Sequence, residues 1–171
     1  TTGASNVAVG YLSLDANTTG STNVAVGRGA LGANTTASFN TAMGDLALVA
    51  NTTGQENSSF GYTSLDANTT GSNNTAFGSQ SLSGNTTASD NTAIGKNALR
   101  ANTTGANNVA MGTCAMLSNT TANSNIGIGR QALYTNETSV GNTALGALAL
   151  QLSTGANNTA LGCGSLRNNS T

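Results

Sequence analysis

Asn91-Thr92-Ala93-Ile94-Gly95-Lys96-Asn97-Ala98-Leu99-Arg100-Ala101-Asn102-Thr103-Thr104-Gly105-Ala106-Asn107 is one turn of a pattern that fills the chain. Asn108 starts it again, and so do Asn6, Asn23, Asn40, Asn57, Asn74, Asn125, Asn142 and Asn158. The fifth residue of each unit is glycine, and Gly10 through Gly146 recur at a spacing of 17. Gly162 arrives one residue early, because the ninth unit reads Leu152-Ser153-Thr154-Gly155 where its neighbours carry a full Asn-Thr-Thr stretch. Units therefore start at residues 6, 23, 40, 57, 74, 91, 108, 125, 142 and 158, and residues 1–171 read as a single array with no separate domain. The array begins without Met and stops inside a unit, which reads as an excerpt from a longer one.

Aligned, the units become columns. The fourth position holds large apolar residues (Val9, Met43, Phe77, Ile94, Leu145) and the ninth holds Leu31, Leu48, Leu82, Leu99, Met116 and their equivalents. Two such side chains per unit cannot enclose a core alone, but stacked units would bury them as two continuous seams, which is how a solenoid is stabilised. Asn91 to Gly95 alternates like a strand, with Thr92 and Ile94 on one face and Ala93 on the other. Ala98 to Ala101 reads equally as a short strand or as one helical turn. Glycine at one corner and Asn, Thr and Gly at the other are turn formers. A helix of ~11 residues does not fit beside a strand in so short a unit. The expected fold is all-β, a repetitive parallel β-roll or β-solenoid of about ten 17-residue coils. With strands ~4.8 Å apart it would form a rod roughly 50 Å long. The alanine column (Ala8, Ala25, Ala42 and onward) is expected on the outer face, either relieving a tight bend or offering a flat strip to another chain. So thin a core leads us to expect self-association.

A second period of 51 residues overlies the first: Tyr11 to Ser21 reads YLSLDANTTGS, and Tyr62 to Ser72 reads YTSLDANTTGS. It is read as the trace of a duplicated three-unit block. Composition narrows the function. Of 171 residues, 6% are charged and 37% hydrophobic, the net charge is −1, and His, Trp and Pro are absent. Five Lys+Arg against six Asp+Glu give no basic footprint for nucleic acid or anionic lipid. No apolar run reaches the ~18 residues of a membrane helix, so no membrane insertion is expected. Without His, and with Asp45, Glu56, Asp90 and Glu137 scattered, no catalytic set assembles and no enzyme is expected. Asp15 and Asp66 share a column and read as solvated turn residues. Neither a metal spacing nor a cofactor motif occurs. Cys114 and Cys163 stand three units apart, beyond disulfide reach in a stacked roll, and are expected to be free.

The most regular chemical motif is the N-glycosylation acceptor N-x-[S/T]. It occurs at Asn17, Asn34, Asn51, Asn68, Asn85, Asn102, Asn119, Asn136 and Asn169. Its middle residue varies (Glu137, Ser170) while the Asn and the third-position Thr persist, as an acceptor requires. Covalent N-glycans, one per coil, would sheathe the rod. The other reading is structural: Asn tolerates left-handed turns, and its amide can stack from coil to coil. Asn57, Asn73, Asn157 and Asn168 also satisfy the motif, as an Asn-rich composition leads one to expect.

Asn91 to Ala98 and Asn108-Val109-Ala110-Met111-Gly112-Thr113-Cys114-Ala115 resemble two groups of repeats. One is the shaft repeat of virus and phage tail fibres. The other is the head repeat of YadA-like trimeric autotransporter adhesins. The resemblance implies a trimeric, left-handed parallel β-roll. Three functions follow as expectations. The leading one is a non-catalytic extracellular structural fibre, at a cell or virion surface, self-associating into a trimer or filament. The second is the shaft or head of a tail fibre or adhesin. The third is an ice-binding solenoid, with Thr18, Thr19 and their equivalents as the ranked array.

Overall fold

The computed structural model describes residues 2–169 and shows a parallel β-solenoid, with ten strands and no helix among those residues. The strands run from β1 (Val7–Val9) to β10 (Thr159–Leu161), one per unit, in one sheet whose spatial order is the chain order. Each residue pairs with its equivalent one unit on, as Ala25 with Ala42 and Ala76 with Ala93. At the short ninth unit the partners lie 16 apart, Thr159 on Thr143 and Ala160 on Ala144, so the columns stay aligned.

Each strand is only three residues long, yet hydrogen bonds between coils run around most of the circumference. The segment after the glycine is neither a second strand nor a helical turn. Its seventh and ninth residues, such as Asn97 and Leu99, are left-handed, with φ of 58° and 52°. Reversing the hand at alternate residues keeps the chain wound flat in the plane of its coil. It also turns the N–H groups toward the neighbours. Gly95 and Asn97 donate backward to Phe77 O and Ser79 O at 2.7 and 3.0 Å, and Leu99 and Ala101 donate forward to Ala115 O and Leu117 O at 2.9 and 3.1 Å. Left-handed leucine is unfavourable alone, by roughly 1–2 kcal/mol. Here the intercoil bonds and complete burial of the leucine offset that cost. Glycine at the fifth position is obligatory on two grounds: Gly95 has φ of 129°, and a Cβ on it would lie 2.7 Å from the Gly112 carbonyl.

The interior reverses the face expected from the sequence. The leucine column is buried, as are two alanine columns, the third and eighth residues (Ala93 and Ala98 beside Leu99). The large residues of the fourth column lie outside, with Met43, Phe77 and Leu145 all more than 40% exposed. The second column, with Val7 and Ile126, shares that outer face. Room decides the matter. A leucine reaching across the coil meets the opposite strand where only a methyl group fits. Two coils show this by substitution. Met116 replaces leucine in the seventh coil, and the residue facing it is Gly127, whose missing Cβ would lie 2.8 Å from Met116 Cγ. In the fourth coil both alanines become serine, and Ser59 and Ser64 satisfy each other through a 2.6 Å Oγ–Oγ bond.

Candidate functional site

Two asparagine columns line the rest of the interior. The first residue of each unit links coils through its own amide oxygen: Asn108 N donates to Asn91 Oδ1 at 3.0 Å, and Asn91 N to Asn74 Oδ1 at 3.1 Å. The twelfth residue links them through its side chain, as Asn102 Nδ2 donates to Asn85 Oδ1 at 2.9 Å. Both columns then meet on one atom. Asn91 Nδ2 and Asn102 Nδ2 both donate to Gly105 O, at 2.9 and 2.8 Å, closing the corner of the coil. A Cβ on Gly105 would lie 2.5 Å from Asn102 Oδ1 and 2.3 Å from Ala122 O, so the units with alanine in this column (Ala37, Ala88, Ala122) place their corner slightly differently.

This geometry settles where the acceptor motifs stand. Asn34, Asn51, Asn68, Asn85, Asn102, Asn119 and Asn136 are buried, and Asn17 is half-buried with its Nδ2 donating to Gly20 O at 2.9 Å. An N-linked sugar is carried on that same nitrogen. A glycan would break the ladder bond and have no exit through the filled interior, so the fold gives these residues to the core. Asn57 is likewise buried in the first column. Asn169, at the end of the described chain, is half-buried. Asn73, Asn157 and Asn168, the acceptors that composition alone explains, are the exposed ones. The sequence separates the two groups only by recurrence, since the buried Asn is locked to the repeat period, and a regularly spaced acceptor would share that mark.

The threonine after the ladder Asn is also partly spent, since Thr69 Oγ1 donates to Thr86 O at 3.0 Å and Thr103 Oγ1 to Thr120 O at 3.0 Å. The outer rank (Thr53, Thr70, Thr104) is exposed, and the inner rank is half-buried from Thr35 to Thr120, with Thr18 exposed in the first coil. Cys114 is half-buried and Cys163 exposed, both as free thiols.

Two surface features remain. The first is the outer face of the sheet, where the second and fourth columns carry Val, Thr, Ser, Ile, Met, Phe and Leu and no charge in any of ten units. Phe60 and Phe77 stack along it with centroids 5.4 Å apart. Polar and charged residues border it: Glu56 and Asp90 precede the strands, while Arg28 and Asp45 follow them and pair at 2.8 Å across two coils. The second is a groove on another face, about 650 Å³ in volume, lined by Asp66, Gln80, Ser83, Arg100, Leu117 and Glu137 among others. Asp66 is not the solvated turn residue its column suggested. It is half-buried, its Oδ1 has no hydrogen-bond partner, and loss of solvent raises its carboxyl above the usual aspartate range. Compared with known proteins, the chain matches no family model, no curated protein and no solved structure.

Proposed function

We propose that the chain is a non-catalytic structural rod, an extracellular fibre or the shaft of a surface appendage, which assembles side by side with further copies of itself. The observation that carries this reading is the uncharged outer face of the sheet, whose fourth column is a large apolar residue in every unit. Contiguous exposed apolar patches rimmed by polar residues mark interaction surfaces. The choice of partner follows from pitch. Apolar side chains recur here once per coil, ~4.8 Å apart, along the whole sheet. Another copy of the same solenoid repeats at that interval and stays in step from end to end, whereas a partner of different period could meet only a few coils. A strip ~48 Å long and ~10 Å wide covers about 500 Å² per copy, or about 1,000 Å² for a pair, which is the lower edge of a specific interface. The resemblance to fibre-shaft and adhesin-head repeats supports the same reading and the surface location. Any glycan on such a rod would sit on Asn73, Asn157 or Asn168, outside the ladders.

Sedimentation and light scattering test it. The protein is expected as a discrete oligomer or filament at micromolar concentration. Met43→Lys with Phe77→Lys, both on exposed sites, should return it to monomer while leaving the circular dichroism unchanged. A monomer at all concentrations, or an oligomer indifferent to both lysines, would refute the reading.

A further inference from the structure

The 51-residue echo, which neither the core nor the outer sheet explains, has a structural counterpart. The groove beside Asp66 repeats a smaller hollow of about 270 Å³ beside Asp15. Five pairs of lining residues stand 51 apart. Leu12 and Thr63, with Gly29 and Gln80, belong to the seventh column, whereas Asp15 and Asp66, Gly32 and Ser83, and Val49 and Arg100 belong to the tenth. In each block an aspartate, a small residue and a larger residue follow on successive coils. The small residue leaves a notch ~10 Å across, two coil spacings, with the aspartate as one wall.

The second notch has become polar and long. It extends from Thr63 in the fourth coil to Glu137 in the eighth, roughly 19 Å at the coil spacing. Two of its atoms lack a partner among the described residues. Thr63 is nine-tenths buried with its Oγ1 unbonded, and Asp66 Oδ1 is buried and unbonded. Buried polar groups without a partner are costly, and these two belong to residues that line the groove.

We propose that this groove binds a neutral oligosaccharide. Charge selects neutrality: a cation would face Arg100 and an anion would face Asp66 and Glu137, so neither is well matched. Hydrogen bonding selects hydroxyls, because the lining offers acceptors (Asp66, Glu137) and donors (Arg100) together with Ser83 and Ser118, which are both. An extended peptide binds such a surface through its main chain, but most of the local main chain is already used. Gly84 N donates to Arg100 O at 2.8 Å and Ala101 N to Leu117 O at 3.1 Å. Side chains carry most of the recognition, and Leu117 and Ala101 offer an aliphatic wall to the C–H faces of a sugar ring. No aromatic platform lines the groove, so the expected dissociation constant for one chain is about 1 mM, improved by multivalency where several rods align. The inference stands whether or not copies assemble through the sheet.

Amide chemical shifts of the labelled protein, titrated with cellotetraose and maltotetraose, test it, with tetragalacturonate and spermidine as the charged comparisons. A neutral tetrasaccharide should shift Gly84, Arg100 and Ser118 and saturate in the millimolar range. Ser83→Leu should weaken binding at least about tenfold by filling the notch; Leu117 occupies the same column, so the coil accepts leucine there. Asp66→Asn, which keeps the shape but removes the charged acceptor, should weaken it about fivefold. The proposal is overturned if neither neutral probe shifts these amides at about 20 mM. It is equally overturned if only a charged probe does, or if Ser83→Leu leaves the shifts intact.

Discussion

Coils two to seven and coils eight and nine share one pattern and differ by one residue, yet they hold their buried amides very differently. Through the seventh coil every side-chain link of the twelfth column is made, from Asn34 on Asn17 at 3.0 Å to Asn119 on Asn102 at 2.8 Å. In the ninth coil Ser153 stands where the asparagine belongs, and a threonine is missing beside it. Asn119 Oδ1, Asn136 Oδ1 and Ser153 Oγ are then left without partners, as are Asn125 Nδ2 and Asn158 Nδ2 in the other column. The strands do not register the loss, and the backbone link persists, with Asn158 N on Asn142 Oδ1 at 2.9 Å. The sheet and the ladder are therefore separable: a deletion at the corner is absorbed by the turn and falls on the amides.

The largest expected effect is on an intact rung. Asn91→Ala removes the acceptor of Asn108 N and one of the two donors to Gly105 O. Leaving a buried N–H unbonded should cost about 3 kcal/mol. Asn125→Ala removes the acceptor of Asn142 N in the same way, but its Nδ2 already bonds nothing. It should cost about 1 kcal/mol less. Urea unfolding of both variants reads the difference, with exchange of the local amides as a second measure, since a repeat array can unfold in parts. Equal costs would mean that the short coil is as well bonded as the others, and the contrast would collapse.

Repair comes next in size. Ser153→Asn together with a threonine inserted after Thr154 restores the full corner. It should gain about 1–2 kcal/mol by giving the Asn136 and Ser153 positions their partners. In the present chain, amides of coils eight and nine should exchange faster than those of coils three to six, and the repaired chain should even the profile. A flat profile before repair would show that trapped water already satisfies these atoms.

How far the sequence could be read follows from the same distinction. The period, the parallel stacking and the leucine seam were legible because they need only recurrence and hydrophobicity. The outward face was not. Ile94 and Ala93 alternate identically whichever points inward, and the choice rests on interior width, which Leu99 sets from across the coil. The left-handed pair at Asn97 and Leu99 was hidden for a related reason: leucine is a poor marker of positive φ, and the intercoil bonds that tolerate it are long-range. The ladder was half legible. An asparagine fixed to the repeat looks alike as glycan acceptor and as interior amide until its Nδ2 is seen donating to Gly105 O or an equivalent carbonyl. Asp66 was misread because burial by neighbouring coils cannot be seen from its own column.

The smallest prediction asks whether the short coil differs in anything except its amides. Asn107 and Asn157 precede the strand in coil seven and coil ten respectively, closing a regular unit and the short one. Both are exposed, and both have φ of 58°. Asparagine suits that conformation better than other residues with a Cβ. Alanine at either site keeps the backbone bond, Asn107 N to Ser89 O or Asn157 N to Val140 O, and exposes only the cost of a left-handed residue, about 1 kcal/mol. Equal losses, read as equal shifts of the unfolding midpoint, would confine the defect to the ladder. A clearly smaller loss at Asn157 would mean that its turn has relaxed out of the left-handed region. Sheet and corner would then yield together, and the separation drawn from the deletion would hold for the strands alone.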